Sequence, residues 1–191
     1  MYTPSPLRYP GGKSSILGMM ARIVQENNLQ RGHYVEPYAG GCGLALGLMF
    51  NGHVHQLHLN DIEPSIVGFW DSILNHKEEF VKKIRKTPVT LKEWRKQRAI
   101  WLDKSNDSFE LGFSAFFLNR TNRSGIICKA GVIGGLDQAG TYKIDCRFNK
   151  DGLIEKIERI HKYRHRISFH NLDALDFLKM TSENLPENSF Y

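Results

Sequence analysis

Cysteine is scarce in this chain of 191 residues. Its three copies, Cys42, Cys128 and Cys146, stand far apart with no CxxC pair. That excludes a disulfide framework and a zinc site as expectations and points to reduced thiols. Long apolar runs are missing too. No stretch approaches the roughly 18 residues of a membrane span, and the opening MYTPSPLRYP has no apolar signal core. A cytoplasmic location with no membrane partner is the resulting expectation. The eight histidines lack metal-ligand spacing, and His53, His55 and His58 on one strand-like stretch read as solvated or packing residues. Internal repeats and low-complexity segments are absent.

What is present is an ordinary folded composition, 41% hydrophobic and 24% charged, in a chain long enough to bury a core. The net charge of +6 is unevenly distributed. Residues 1–76 carry four Lys/Arg against five Asp/Glu, residues 77–166 carry 21 against 11, and residues 167–191 carry one against four. A cationic surplus confined to the middle suggests an insertion that faces a polyanion, most simply nucleic acid. Solvated amphipathic helices are the other reading, since KEEFVKKIRK and LKEWRKQR have that form.

Periodicity predicts a helix over 14–27, with Ile16, Leu17, Met20, Ile23 and Val24 on one face and Ser14 as a cap. A strand from Tyr34 to Pro37, a helix over 44–50, a strand over 56–60 and a helix opened by Pro64 follow. The basic middle predicts helices over 78–86, 91–102 and 109–119, then a hairpin in SGIICKAGVIGGLDQAG. A helix over 153–163, a strand over 167–172, a helix over 174–180 and a strand beginning at Phe190-Tyr191 close the chain. Alternating strands and helices at both ends predict a parallel α/β sheet, interrupted by the middle segment. The division expected is 1–76 and 151–191 for the core and 77–150 for the insertion.

The chemistry concentrates after the first strand. There EPYAGGCG leads into a helix, so glycines turn the backbone sharply at the carboxyl end of a strand, where such sheets bind ligands. The next strand ends in Asp61, an acid placed to accept the two hydroxyls of a ribose. The turn is not GxGxxG, so a phosphate-binding dinucleotide site fits poorly and S-adenosylmethionine fits better. A tight turn beside an exposed strand-end acid is the alternative.

Taken together, RYPGGK, VEPYAGGCG, LNDI, FFLNRTNRSG and GTYKIDCRFNK resemble, in order, the Dam-type (D12 class) adenine-N6 DNA methyltransferases. The resemblance runs from Leu7 to Tyr191. It implies a Rossmann-like S-adenosylmethionine-dependent fold, duplex DNA as substrate and a restriction endonuclease as companion in the same system. It places Tyr9 as an aromatic wall for the sulfonium and Lys13 on backbone carbonyls or the methionine carboxylate. Glu36, Pro37, Tyr38 and Gly40 would line the methionine pocket, Asp61 would hold the ribose, and Asp173 would bond the adenine amine or cap the helix after it. The family's small Gly-x-Gly is replaced here by Gly40, Gly41, Cys42 and Gly43, which puts Gly43 in doubt as a contact.

In the same family the insertion recognises the target. Arg120, Asn122, Arg123 and Lys129 would flank the hairpin, arginine and asparagine reading base edges and lysine meeting phosphates. Lys82, Lys83, Arg85, Lys92, Arg95 and Arg98 would add phosphate contacts, and Arg147 is a family position that could instead anchor the insertion. The family's strand corresponding to Phe190-Tyr191 leads into Asp-Pro-Pro-Tyr, which holds the flipped adenine. That motif does not occur in these residues. The expectations are therefore a chain that is a fragment or truncated copy, inactive alone, marginally stable, and ending at the start of a central strand. A noncatalytic DNA-binding protein with a degenerate methyltransferase fold is the alternative.

Overall fold

A computed structural model describes residues 3–9 and 11–191. The chain forms two compact units. One holds residues 3–5, Gly11–Glu63 and Lys162–Tyr191, the other residues 6–9 and Pro64–His161. Among the described residues no helix is long and apolar enough to cross a membrane.

The first unit is built on a parallel sheet. Strands β1 (His33–Glu36), β2 (Gln56–Asn60), β3 (Ile167–His170) and β4 (Ser189–Phe190) lie in the order β3-β2-β1-β4. Val35 stands opposite His58, and His58 opposite Ser168, so the carboxyl ends of the three longer strands finish side by side. Parallel neighbours need a crossover: α2 (Gly43–Phe50) lies between β1 and β2 and α8 (Ala174–Asn184) between β3 and β4, while α1 (Leu17–Glu26) precedes β1. Helix α2 is apolar on every side, and its residues Leu44–Met49 are all buried. Among the described residues β4 pairs with β1 alone.

The N-terminal helix differs from expectation in its first turn. Residues Lys13–Ile16 form a 3-10 turn before α1, and no side chain caps either element. The Ser14 hydroxyl sits against Gly43, where a Cβ would come within 2.2 Å of it. Of the expected apolar face only Val24 is fully buried, and Ile16 remains 36% exposed.

The second unit is helical: α3 (Pro64–Asn75), α4 (Lys77–Lys86), α5 (Leu91–Leu102), α6 (Ser108–Thr121) and α7 (Lys150–Lys162). Thr90 and Asp107 accept from the backbone N–H three residues on, which starts α5 and α6 where the Thr-x-x-Glu and Asp-x-x-Glu spacings place them. Its core is aromatic. Phe69 stacks on Phe116 at 5.7 Å, Phe80 meets both edge-on, and Phe148 closes over Phe116 and Phe117. Helices α3 and α6 cross at two glycines, a Cβ on Gly112 falling 2.3 Å from the Gly68 backbone.

The expected hairpin is a loop. One antiparallel bridge ties Asn122, just before the segment, to Val132 at its middle, with no strand on either side. Positive φ at Ser124, Gly125, Lys129, Gly134, Gly135 and Gln138 interrupts every extended run, and the apolar runs between are too short to form a ladder.

Candidate functional site

Three loops leave the carboxyl ends of β1, β2 and β3, and polar side chains fasten them together. Asn60, the last residue of β2 and only 1% exposed, donates to the carbonyls of Pro37 and Leu172 and accepts from Leu172 N–H. Asn171 donates to the carbonyls of Asp61 and Ile62. Asn60 falls inside the LNDI motif without a role expected of it, and Asn171 carries no expected role either. The signal available was polar residues at strand ends, where an inward amide has carbonyls to satisfy.

Asp61 stands at the middle of this platform. One carboxylate oxygen accepts from Gly40 N–H at 2.9 Å and the other from Glu63 N–H at 3.0 Å. Four acceptor positions on an ionised carboxylate leave capacity for further donors. Gly40 turns at φ 48° to present its N–H, and Cys42 follows at φ 50°, a left-handed position unusual for a residue with a Cβ. Burial pushes the Cys42 thiol well above its ordinary pKa, and the nearby Glu36 and Asp61 carboxylates push the same way. It is therefore a packing thiol, not a nucleophile.

Lys13 closes the other side of the turn. Its ammonium donates to the Tyr38 carbonyl at 2.7 Å and lies 2.7 Å from Glu36 Oε1. A backbone carbonyl is thus one partner it finds. Glu36 is 3% exposed, and burial holds its carboxyl above the usual range although Lys13 pulls the other way. No hydrogen bond of good geometry reaches either of its oxygens. Lys13, with the Tyr34 hydroxyl and the Ala45 backbone, favours the charged form against burial. Tyr38 and Ile62 on these loops are 70% and 67% exposed, and Leu175 in the first turn of α8 is 75% exposed.

The remaining expected cofactor residues are placed less decisively. Pro37 supplies the carbonyl that Asn60 binds. Asp173 caps α8 by accepting from Leu175 N–H. Tyr9 belongs to the second unit and is 46% exposed.

The four expected DNA readers divide into two pairs. Arg123 and Lys129 are exposed on the loop after α6. Asn122 is buried, its carbonyl accepting from Trp94 Nε1 at 2.7 Å and its amide donating to the Ile126 and Ile127 carbonyls. This leaves no amide hydrogen for a base. Arg120 donates to the Arg147 carbonyl at 2.8 Å and to the Pro6 carbonyl at 3.4 Å. Burial, with Arg8 and Arg147 nearby, lowers its pKa to about 10. Among the helix cations, Lys83 is paired with Glu110 and lies over the Phe109 and Phe113 rings, while Lys82, Lys86 and Arg95 are exposed.

The sequence model of the D12 class N6 adenine-specific DNA methyltransferases matches residues 9–188. The chain belongs to this family. Its mixed α/β fold, with a parallel sheet carrying the platform at the strand ends, is consistent with the family's Rossmann-like architecture. No curated protein matches the chain. As a D12 methyltransferase, the chain's general chemistry is methyl transfer to adenine N6 in DNA. The Asp-Pro-Pro-Tyr associated with the flipped base is not among its 191 residues.

Proposed function

We propose that the platform at the ends of β1, β2 and β3 binds S-adenosylmethionine and that the second unit binds duplex DNA. The observation that carries the first reading is the lacing of three strand-end loops around Asp61 by Asn60 and Asn171. The donor set fits the group. A carboxylate with spare acceptor capacity suits a ribose diol, a glycine turn gives close backbone approach, and uncovered Tyr38, Ile62 and Leu175 suit a purine. Asp61 is the ribose residue, and Glu36, Pro37, Tyr38 and Gly40 form the methionine side. Lys13 holds that side by its bonds to Tyr38 and Glu36. Asp173 supplies an acceptor for the adenine amine alongside its capping bond. When bound, the cofactor would supply an electrophilic methyl on a sulfonium.

Residues 77–150 are the target-recognition insertion in this reading, with α3 and α7 as its scaffold. Arg123 and Lys129 are the residues proposed to meet DNA directly. Asn122 shapes the loop that carries them, and Arg120 ties that loop to neighbouring segments.

Calorimetric titration with S-adenosylmethionine tests the first claim. Asp61→Ala should weaken binding at least tenfold, since it removes two hydroxyl acceptors worth roughly 1.5–3 kcal/mol each. Unchanged affinity sinks the assignment. Incorporation of labelled methyl into an adenine-containing duplex by the purified chain separates a methyltransferase from a noncatalytic DNA-binding protein.

A further inference from the structure

Three arginines from three separate segments of the second unit come together, and among the described residues no acid pairs with them. Arg8 lies in the N-terminal segment, Arg120 near the end of α6 and Arg147 just before α7. Asn119 holds the first by accepting from Arg8 N–H at 2.7 Å and donating to the Arg8 carbonyl at 2.7 Å. Gly125 makes that approach possible, because a Cβ there would fall 2.4 Å from the Arg8 carbonyl oxygen. Arg120, the next residue along α6, reaches the Pro6 and Arg147 carbonyls and so draws in the third segment. The fold thus brings like charges together through their backbones.

Among the described residues none of the three guanidiniums is in an ion pair. Arg8 Nη1 is buried and has no hydrogen-bond partner there. Burial and the neighbouring Arg147 lower the Arg8 pKa, and Arg8 with Arg147 adds to the effect of burial on Arg120. Among the groups that shift these pKa values only Cys146 has the opposite effect, and it is an uncharged thiol when protonated. A buried charged donor left unmade costs free energy, and the exposed Arg147 guanidinium, which lies over the Tyr142 ring, adds like charge nearby. An anion with several oxygens would relieve both, and the planar guanidinium fork matches phosphate.

Resting on the reading of the second unit as a DNA binder, we propose that Arg8, Arg120 and Arg147 form one site for a phosphodiester of the DNA backbone. The site positions the duplex and reads no base. It assigns a DNA contact to Arg8, whose own segment is remote in sequence from the recognition loop.

The test is fluorescence anisotropy of a labelled duplex over a series of salt concentrations. Wild-type protein is compared with Arg8→Gln and Arg147→Gln, because Arg120 also anchors two carbonyls and is left intact. Each variant should bind about tenfold more weakly across unrelated duplex sequences, with the log–log salt slope reduced by roughly one. Thermal melting should match wild type. A duplex scanned with single neutral methylphosphonates should reveal one position that weakens wild-type binding and leaves Arg8→Gln unaffected. Wild-type affinity and slope in both variants, while Lys82→Glu with Lys86→Glu weakens binding, would overturn the triad and leave the DNA reading intact. No duplex binding by wild type at low salt would overturn both. Stabilisation by inorganic phosphate that Arg8→Gln abolishes, with DNA affinity unchanged, would show a free-anion site and overturn the backbone assignment.

Discussion

Glu36 and Lys13 show how a single buried acid shapes the turn that follows β1. Burial raises the Glu36 pKa by more than Lys13 lowers it, so the folded state favours the protonated acid relative to the unfolded chain. The sign follows. Stability from this group is full below the unfolded value of about 4.3 and is lost as pH rises through the folded value. Glu36→Gln should therefore gain stability relative to wild type as pH is raised from about 4 to 7, read by thermal melting at each pH. A constant difference across that range would contradict the desolvated-acid reading. Gly43 is the complementary case, a residue kept small by its neighbour. Gly43→Ala should destabilise by about 1–3 kcal/mol in urea unfolding, because its methyl would displace the Ser14 hydroxyl.

At the scale of elements, the sheet carries a second titratable feature. His33 Nδ1 on β1 meets His58 Nε2 on β2 at 2.9 Å, with the rings nearly parallel. Burial, then His33 and His170, lowers the His58 pKa to about 4. A histidine depressed in the fold contributes stability above its unfolded value of about 6.5 and loses it as pH falls towards 4. The melting temperature should thus drop between pH 7.5 and pH 5, and the drop should be smaller in His58→Gln. Equal drops would place the acid sensitivity elsewhere. The crossing of α3 and α6 makes a different demand. Adding a methyl at Gly112 meets backbone on the facing helix, which cannot rotate away as a side chain could. Gly112→Ala should cost at least 2 kcal/mol in chemical unfolding, near the upper part of the usual overpacking range.

For the molecule as a whole, the charge surplus of the middle segment becomes more selective once folded. Lys83 is committed to Glu110 and two rings, Arg120 to backbone carbonyls, and Lys150 to the Arg85 and Thr87 carbonyls. Lys82, Lys86, Arg95, Arg123 and Lys129 remain exposed for a polyanion. If about six phosphates are contacted, duplex affinity should fall about a thousandfold between 50 and 200 mM salt. Charge reversal at Lys82 and Lys86 should flatten that dependence without altering the melting temperature. A flat response in the wild type would mean that these cations are only solvated helix faces.

The sequence by itself determined the alternation of strands and helices, the family, the glycine turn and the acid after β2. These depend on local periodicity, on turn chemistry and on residue order, all carried by neighbouring residues. Helix starts at Thr90 and Asp107 were legible for the same reason. The tertiary structure decided what local pattern could not. Ser14 lies against Gly43 and caps no helix, and the expected hairpin becomes a loop because six residues take positive φ. Asn122 turns inward to Trp94, and Asn60 and Asn171 tie together loops more than a hundred residues apart in the chain. A polar side chain's role depends on which carbonyls and amides lie within 3 Å of it, and that is set by packing between distant segments.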